Sequence, residues 1–525
     1  MSIRRRPLAL LTLAVVPVLL SAGAATAAGT GAASSGDGYT IYQAPAVNPG
    51  DTSNDAYNNA VEPSIGANWK TGVTDYQADL TTYAVTFDQA THTATWTAHK
   101  PVTTSQTTLD PILFTDRTLG RTFISQLAGS TSLFVSSDDD GATSTPAVVP
   151  ASGVDHQTVG GGPFSASALT GATGGYPHSV YYCSQAIVTA FCSISLDGGR
   201  TFGNPDPIYT VGAPLVNGCG GLHGHVRVRA DGTAMVPDQG CGPSTLLANP
   251  THQGITVNSD NNTGPWTLDL VPDSTPTVNS DPSVDSDPAS TTYFGYEDGA
   301  NMAGEHPGKI AVKKLGGMWA TSVDVGAPLG VRSIAFPEVI AGSTGRAAMA
   351  FLGTTTTGDY QAKTFAGAWQ LYIARTDDSG ATWRTQQVTT DTAHPVQVGC
   401  IQLGGPCTHR NLYDFNDITV DRLGRVEVGF ADGCTATMGC TTGATTAGAN
   451  DNTNVGTIAR QECGQSLFAD QDAALAAACA STAGTSGSPA ASLPEAPVVP
   501  LLVLTGGGTL AAAAVIRRRR QRARG

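Results

Sequence analysis

Charge is scarce in this chain. Only 13% of its 525 residues are Asp, Glu, Lys or Arg, about half the share usual in a soluble domain. No stretch has the periodicity of a long amphipathic helix, which excludes a helical bundle. No cysteine precedes Cys183 and no Cys-x-x-Cys pair occurs, so the usual zinc-finger spacings are missing. The short glycine runs Gly160-Gly161-Gly162 and Gly218–Gly221 lack the strand–loop–Lys–helix setting of a phosphate loop. What is abundant is glycine, 62 residues, between short apolar runs. That pattern predicts an all-β chain with many tight turns.

The two ends differ from the middle. Arg4-Arg5-Arg6, the apolar run Leu8–Leu20 and Ala25-Thr26-Ala27 predict a secretory signal over residues 1–28. Residues 29–61 are an extension, 62–479 the folded domain, and 480–497 a small, polar, flexible stalk. Val498–Ile516 is weakly apolar over 19 residues and is followed by Arg517-Arg518-Arg519-Arg520. That predicts a membrane anchor over 498–525 with a positive cytoplasmic stop. Leu493-Pro494-Glu495-Ala496-Pro497 resembles the sorting pentapeptides of high-GC Gram-positive surface proteins. The expectation is a bacterial protein, exported and held at the cell surface through membrane or wall, and monomeric.

The signal and the anchor contain nine arginines and no acid, leaving 19 basic against 42 acidic residues, a formal charge of −23. A nucleic-acid partner is therefore not expected. Ten cysteines remain, and export predicts that they are oxidised. Closeness in sequence pairs Cys183 with Cys192, Cys219 with Cys241, Cys400 with Cys407, Cys434 with Cys440, and Cys463 with Cys479.

One eight-residue stretch recurs. Thr376-Asp377-Asp378-Ser379-Gly380-Ala381-Thr382-Trp383 fits Ser/Thr-x-Asp-x-Gly-x-Thr-Trp/Phe. Ser195–Phe202 is a second full copy, and Ser137–Thr143 a third without the aromatic. Asp139, Asp197 and Asp378 can accept amides inside a turn, the Gly supplies positive φ, and the aromatic folds back as a plug. This pattern resembles the Asp-box, or bacterial neuraminidase repeat, of sialidase-like β-propellers. The resemblance implies a propeller with the boxes on its outer turns, away from the active face. It covers Glu62 to Arg460.

Seven units can be read, each opening on an inner strand, at Glu62, Asp110, Asp155, His223, Asp281, Phe336 and Phe415. The closing aromatic recurs as Trp96, Phe202, Trp266, Trp319 and Trp383; the second unit lacks it, so Trp96 to Trp383 spans five steps with a mean near 57 residues. The prediction is one seven-bladed β-propeller, with six blades as the alternative, since well-studied sialidases have six. Seven-bladed Asp-box propellers occur among xyloglucan-degrading enzymes. Tyr39–Ala44 is expected to close the ring by pairing with the last blade.

Inner-strand starts crowd one mouth of a propeller's channel. Glu62, Asp110, Asp155 and Asp281 stand at the first position, Glu338 and Asp417 two residues further on. Positions one and three share a face. His223 and His225 occupy both places in the fourth unit, and His156 adjoins Asp155. Such a ring can bind a metal, hold a cationic ligand or supply general acid and base. Alternatively, each carboxylate caps local amides. No cofactor is expected, with a metal at His156, His223 and His225 as the exception.

Sialidase chemistry implies three arginines on the substrate carboxylate, a Tyr nucleophile with a Glu partner, and an Asp acid/base. The Arg-Ile-Pro that opens the first blade in that family is replaced here by Glu62-Pro63-Ser64-Ile65. Candidate clamps are Arg227, Arg332 and Arg410. Tyr413, Asp414, Glu338 and Asp155 are the candidate catalytic residues. The expectation is a sialidase-like, exo-acting glycoside hydrolase with a diverged site. The alternative is a non-catalytic module that binds a glycan or a surface protein.

Overall fold

The computed structural model describes residues 37–45, 60–102, 108, 110–129, 131–149, 155–165, 175–186, 189–209, 218–220, 222–242, 250–277, 279–299, 304–403, 405–435 and 454–483. The expected signal, stalk and anchor lie outside them, apart from residues 480–483. Among the described residues no helix is long and apolar enough to cross a membrane.

Seven antiparallel sheets of four or five strands follow one another along the chain. Their inner strands are Ser64–Ala67, Pro111–Asp116, Asp155–Pro163, Arg227–Val228, Ser283–Ser286, Ser333–Ala341 and Asp417–Val420. Each inner strand touches the next, and the seventh touches the first. The result is a seven-bladed β-propeller. Gly38–Gln43 pairs antiparallel with Val455–Cys463, the third strand of blade 7, so the ring is closed by joining the two ends of the domain. The helix Asp472–Ala483 follows that blade, and the Cys463–Cys479 disulfide ties it there.

Strands form because period-two burial pays on both faces of a blade. Ala347–Thr354, for example, is buried at all eight positions, with one face toward each neighbouring blade. Aromatic plugs fill the gaps between blades. Phe202 of blade 3 meets Phe134 of blade 2, Trp266 of blade 4 meets Tyr181 of blade 3, and Trp383 of blade 6 meets Tyr293 of blade 5.

The recurrent turns share one geometry. Asp139, Asp197 and Asp378 each accept the amide and the hydroxyl of the Thr four residues on, and a hydroxyl two residues back. These bonds hold all three carboxyls below the usual range, for Asp378 through Thr382 first and for the other two against the effect of burial. Cys183–Cys192, Cys219–Cys241 and Cys400–Cys407 are disulfides as well. Cys434 is also disulfide-bonded, and its expected partner Cys440 lies outside the described residues.

Two glycines let the inner strands approach the axis. A Cβ on Gly224 would sit 1.9 Å from the Pro282 carbonyl oxygen, and one on Gly160 would sit 2.2 Å from that of Val226. Blade 4 therefore enters the channel as His223-Gly224-His225. It makes only an isolated bridge, His223 to Asp238, before regular pairing begins at Arg227.

Candidate functional site at the channel mouth

Bonds between blades show which residues are level with one another. Ser64 Oγ accepts the Leu113 amide at 3.1 Å, Thr158 Oγ1 that of Val226 at 3.0 Å, and Ser283 Oγ that of Val339 at 2.9 Å. Asp417 Oδ2 accepts the Ile65 amide at 2.9 Å. Each side chain thus reaches the amide one residue beyond its own position on the next strand. Ser64, Thr158, His225, Ser283, Glu338 and Asp417 therefore form one level of the channel. Two residues earlier stand Glu62, Asp110, His156, His223, Asp281 and Phe415. Two residues later stand Arg227 and Asp285.

At the upper level, Glu62 is buried, with Asp110 and Asp414 beside it. Burial, then the charges of Asp110 and Asp414, lift its carboxyl well above the ordinary range. Burial also raises Asp110. Asp414 is one-third exposed and accepts from Arg410 at 2.7 Å. Tyr413, half-buried, precedes it. Glu62 and Tyr413 both have φ of 56°, a left-handed conformation costly for residues with a Cβ and concentrated at functional sites.

Across the channel, His156 Nε2 lies 2.8 Å from Asp281 Oδ2. Burial opposes a charge on His156, but Asp281, Asp110 and Asp155 outweigh it and lift the imidazole to about 9. His223 is pushed down to about 3 by burial and then by His156. Burial, Arg227 and His156 drive His225 well below its usual value. One imidazolium thus stands beside two neutral imidazoles, with ring centroids 5.3 and 6.5 Å from that of His156.

At the middle level, His225 Nδ1 faces Glu338 and Asp417, both raised first of all by burial. Arg227 reaches up to them, 3.3 Å from Asp417 Oδ1 and 3.7 Å from Glu338 Oε2.

The structure brings together Glu62, Asp110, His156, His223, His225, Asp281, Glu338, Asp414, Asp417 and Arg227. Asp155 stands at the edge of this grouping, where its charge still acts on His156, Asp110 and Asp281. That side chain is exposed, and its Oδ1 accepts the His156 amide at 3.0 Å. A bulge at Asp155–Thr158, with His156 at φ 47°, moves the neighbouring histidine into the channel instead. The three arginines are spread over different partners. Arg227 is among Glu338 and Asp417, Arg410 is on Asp414, and Arg332 is half-exposed, 3.9 Å from Glu305.

Sequence reasoning did not single out several buried acids at second-strand ends. Glu297 accepts from Tyr360 at 2.8 Å and Asn279 at 2.7 Å, with His306 Nδ1 3.2 Å away. Asp238 accepts from Tyr209 at 2.7 Å, and burial lifts it to about 7. The available signal was an acid closing an apolar strand. A cavity of about 780 Å³ lies elsewhere, between Arg384–Gln387 and the helix Asp472–Ala483, with Tyr39, Tyr372, Arg375 and Ala476 in its wall. It shares no residue with the channel levels.

No protein-family model matches the chain, and no curated protein does. Among solved structures it is similar to a protein of unknown function from Dyadobacter fermentans, at TM-score 0.40 and 12% identity, covering 81% of this chain and 98% of that one. It is similar to a family PL25 ulvan lyase at TM-score 0.40 and 12% identity, covering 71% and 92%. A Hadza microbial sialidase aligns at TM-score 0.35 and 13% identity, covering 67% and 64%. At these scores the likenesses say nothing about activity, and the blade order given by the sheets stands independently of them.

Proposed function

We propose that the protein is a glycoside hydrolase acting at the channel mouth on an uncharged glycan, exported and held at the cell surface. The observation that carries this is Glu62: buried, in left-handed backbone, beside the carboxyls of Asp110 and Asp414, with an Oε2 that makes no hydrogen bond within the chain. A carboxyl whose hold on its proton is strengthened by burial and by neighbouring acids is suited to general-acid catalysis. Glu62 gives its proton to the departing glycosidic oxygen. Asp110 lies beside Glu62 and acts with it as one proton donor, which leaves Asp414 as the base. A glycosidase's acid and nucleophile stand about 5 Å or more apart. Tyr413 is the nucleophile in this reading, with Asp414 taking its phenolic proton as the phenol oxygen bonds to the anomeric carbon.

The choice of an uncharged substrate follows from the arginines. Arg227 and Arg410 are paired with the chain's own carboxylates, so a sialic-acid carboxylate would have to displace them. The disulfides favour an oxidising compartment.

The test is turnover of a panel of neutral aryl glycosides and a sialic-acid glycoside by the exported chain and by E62Q. The expectation is release from a neutral substrate, with kcat of E62Q lower by about 10²–10⁴-fold and an unchanged melting temperature. Equal rates for both proteins would sink the assignment. Glycan binding without turnover would favour a binding module.

A further inference from the structure

The middle level of the channel holds a buried grouping that the proton donor at the mouth does not use. His225 Nδ1 lies 3.5 Å from Glu338 Oε1 and 3.8 Å from Asp417 Oδ1, and one atom from each residue falls within 4.8 Å of the others. The three side chains are 3%, 6% and 5% exposed. His225 Nδ1 makes no hydrogen bond. These separations are too long for hydrogen bonds, which close at about 2.7–3.2 Å. They approach the ligand-to-ligand edge of a tetrahedron built on metal bonds of about 2.0–2.2 Å, roughly 3.3–3.6 Å.

The outer oxygens of the carboxylates are already fixed. Ser283 Oγ donates to Glu338 Oε2 at 3.0 Å. Ser64 Oγ and the Ile65 amide donate to Asp417 Oδ2, each at 2.9 Å, while the facing Oδ1 accepts the Ile418 amide at 2.8 Å and Arg227 at 3.3 Å. Such bonds set the direction of a ligating carboxylate. Arg227 comes from the level below, where Asp285 also faces it, so its charge has a carboxylate besides these two.

We propose that His225, Glu338 and Asp417 hold one divalent ion of the zinc or manganese class on the channel axis. One imidazole and two carboxylates suit such ions better than a thiolate-seeking or an all-oxygen one. The ion joins blades 4, 6 and 7. Hydroxyl clamps from Ser64, Thr158 and Ser283 already join blades 1 to 2, 3 to 4 and 5 to 6. The ion cross-links blade 6 to blade 7, where blade 6 carries no such hydroxyl, and ties blade 4 to both. It is a pin for the ring, independent of whether the mouth is catalytic.

The test uses the exported chain with any affinity tag removed. Metal content is measured by mass spectrometry, then the melting temperature before and after dipicolinate and after adding back zinc, manganese or magnesium. The expectation is one ion per chain, a lower melting temperature on chelation, and recovery with zinc or manganese but not magnesium. E338Q and D417N should each weaken binding at least about tenfold, while D378N, on an outer turn, leaves it unchanged. A metal-free chain whose melting temperature ignores both ions overturns the site, as does wild-type binding in E338Q and D417N. Should those variants not fold, cobalt is titrated into the wild-type chain. Visible bands of a low-coordinate nitrogen–oxygen site are expected, and their absence overturns the proposal.

Discussion

Glu62 and Asp75 are both buried carboxyls, yet their surroundings separate them. Glu62 lies beside two other acids, Asp110 and Asp414, at the upper level of the channel. Asp75 lies inside blade 1 with no exposure, taking hydroxyl bonds from Thr122 at 2.5 Å and Thr115 at 3.4 Å. Burial, opposed by the Thr122 bond and aided by Asp140, lifts Asp75 to about 7. A raised acid contributes stability that is complete below its unfolded value, about 3.9, and is lost as pH climbs through its folded value. Wild-type stability should therefore fall between about pH 4 and pH 7, in part through this residue. Asp75→Asn stays neutral, and Thr115 can accept its amide. Denaturant unfolding should show the variant gaining on the wild type as pH rises, by about 2–4 kcal/mol at pH 8. A difference that does not change with pH would refute the assignment.

The same scale shows why the site was only partly legible. Counting alternate positions from strand starts reaches Glu62, Asp281, Glu338 and Asp417, because those strands keep their period into the channel or regain it there. At Asp155 a bulge shifts the register, so that His156 is buried and the Asp155 side chain is exposed. Nothing in the sequence announces the contact of Glu62 with Asp414, since they come from opposite ends of the chain and meet only when the ring closes.

At the scale of the element, the recurrent turn is the readable unit. Its Ser/Thr, Asp, Gly and Thr all act within eight residues, so local chemistry alone specifies it. In the copy at 195–202, Asp197 takes bonds from Ser195 Oγ at 2.8 Å, Thr201 Oγ1 at 2.7 Å and two amides at 3.0 and 3.1 Å. Asp197→Ala should cost about 1–3 kcal/mol in unfolding free energy, read from urea melts. It should leave turnover at the mouth unchanged, because the turn is on the outer part of the blade. Loss of activity in a folded variant would show that these turns serve the site. The inner strand of blade 4 was less readable. Its Gly224 is needed by a close approach from blade 5, and a contact of that kind leaves no mark in local sequence.

At the scale of the molecule, the ring depends on its first described strand. Gly38–Gln43 completes blade 7, with Ile41 level with Ala459 and Thr40 with Arg460. Asp37 pairs with Arg375 of blade 6 at 2.5 Å. A chain starting at residue 46 should melt lower, and amide exchange should speed up most in Val455–Cys463, whose edge becomes bare. Unchanged exchange there would mean that closure does not rest on this strand. The number of blades could be counted from the sequence because each blade repeats. The working face could not be chosen that way, because it depends on residues from all seven blades reaching one axis.

The central claim is that ligand sits over Glu62 at the mouth of that axis. The most direct measurement is the structure of E62Q soaked with a neutral oligosaccharide from the turnover panel. The account predicts sugar density against Glu62's position, Asp110 and Asp414, with Tyr413 beside the anomeric carbon. Density confined to the outer cavity between Tyr372, Arg375 and Ala476, with the mouth holding only solvent, would contradict it.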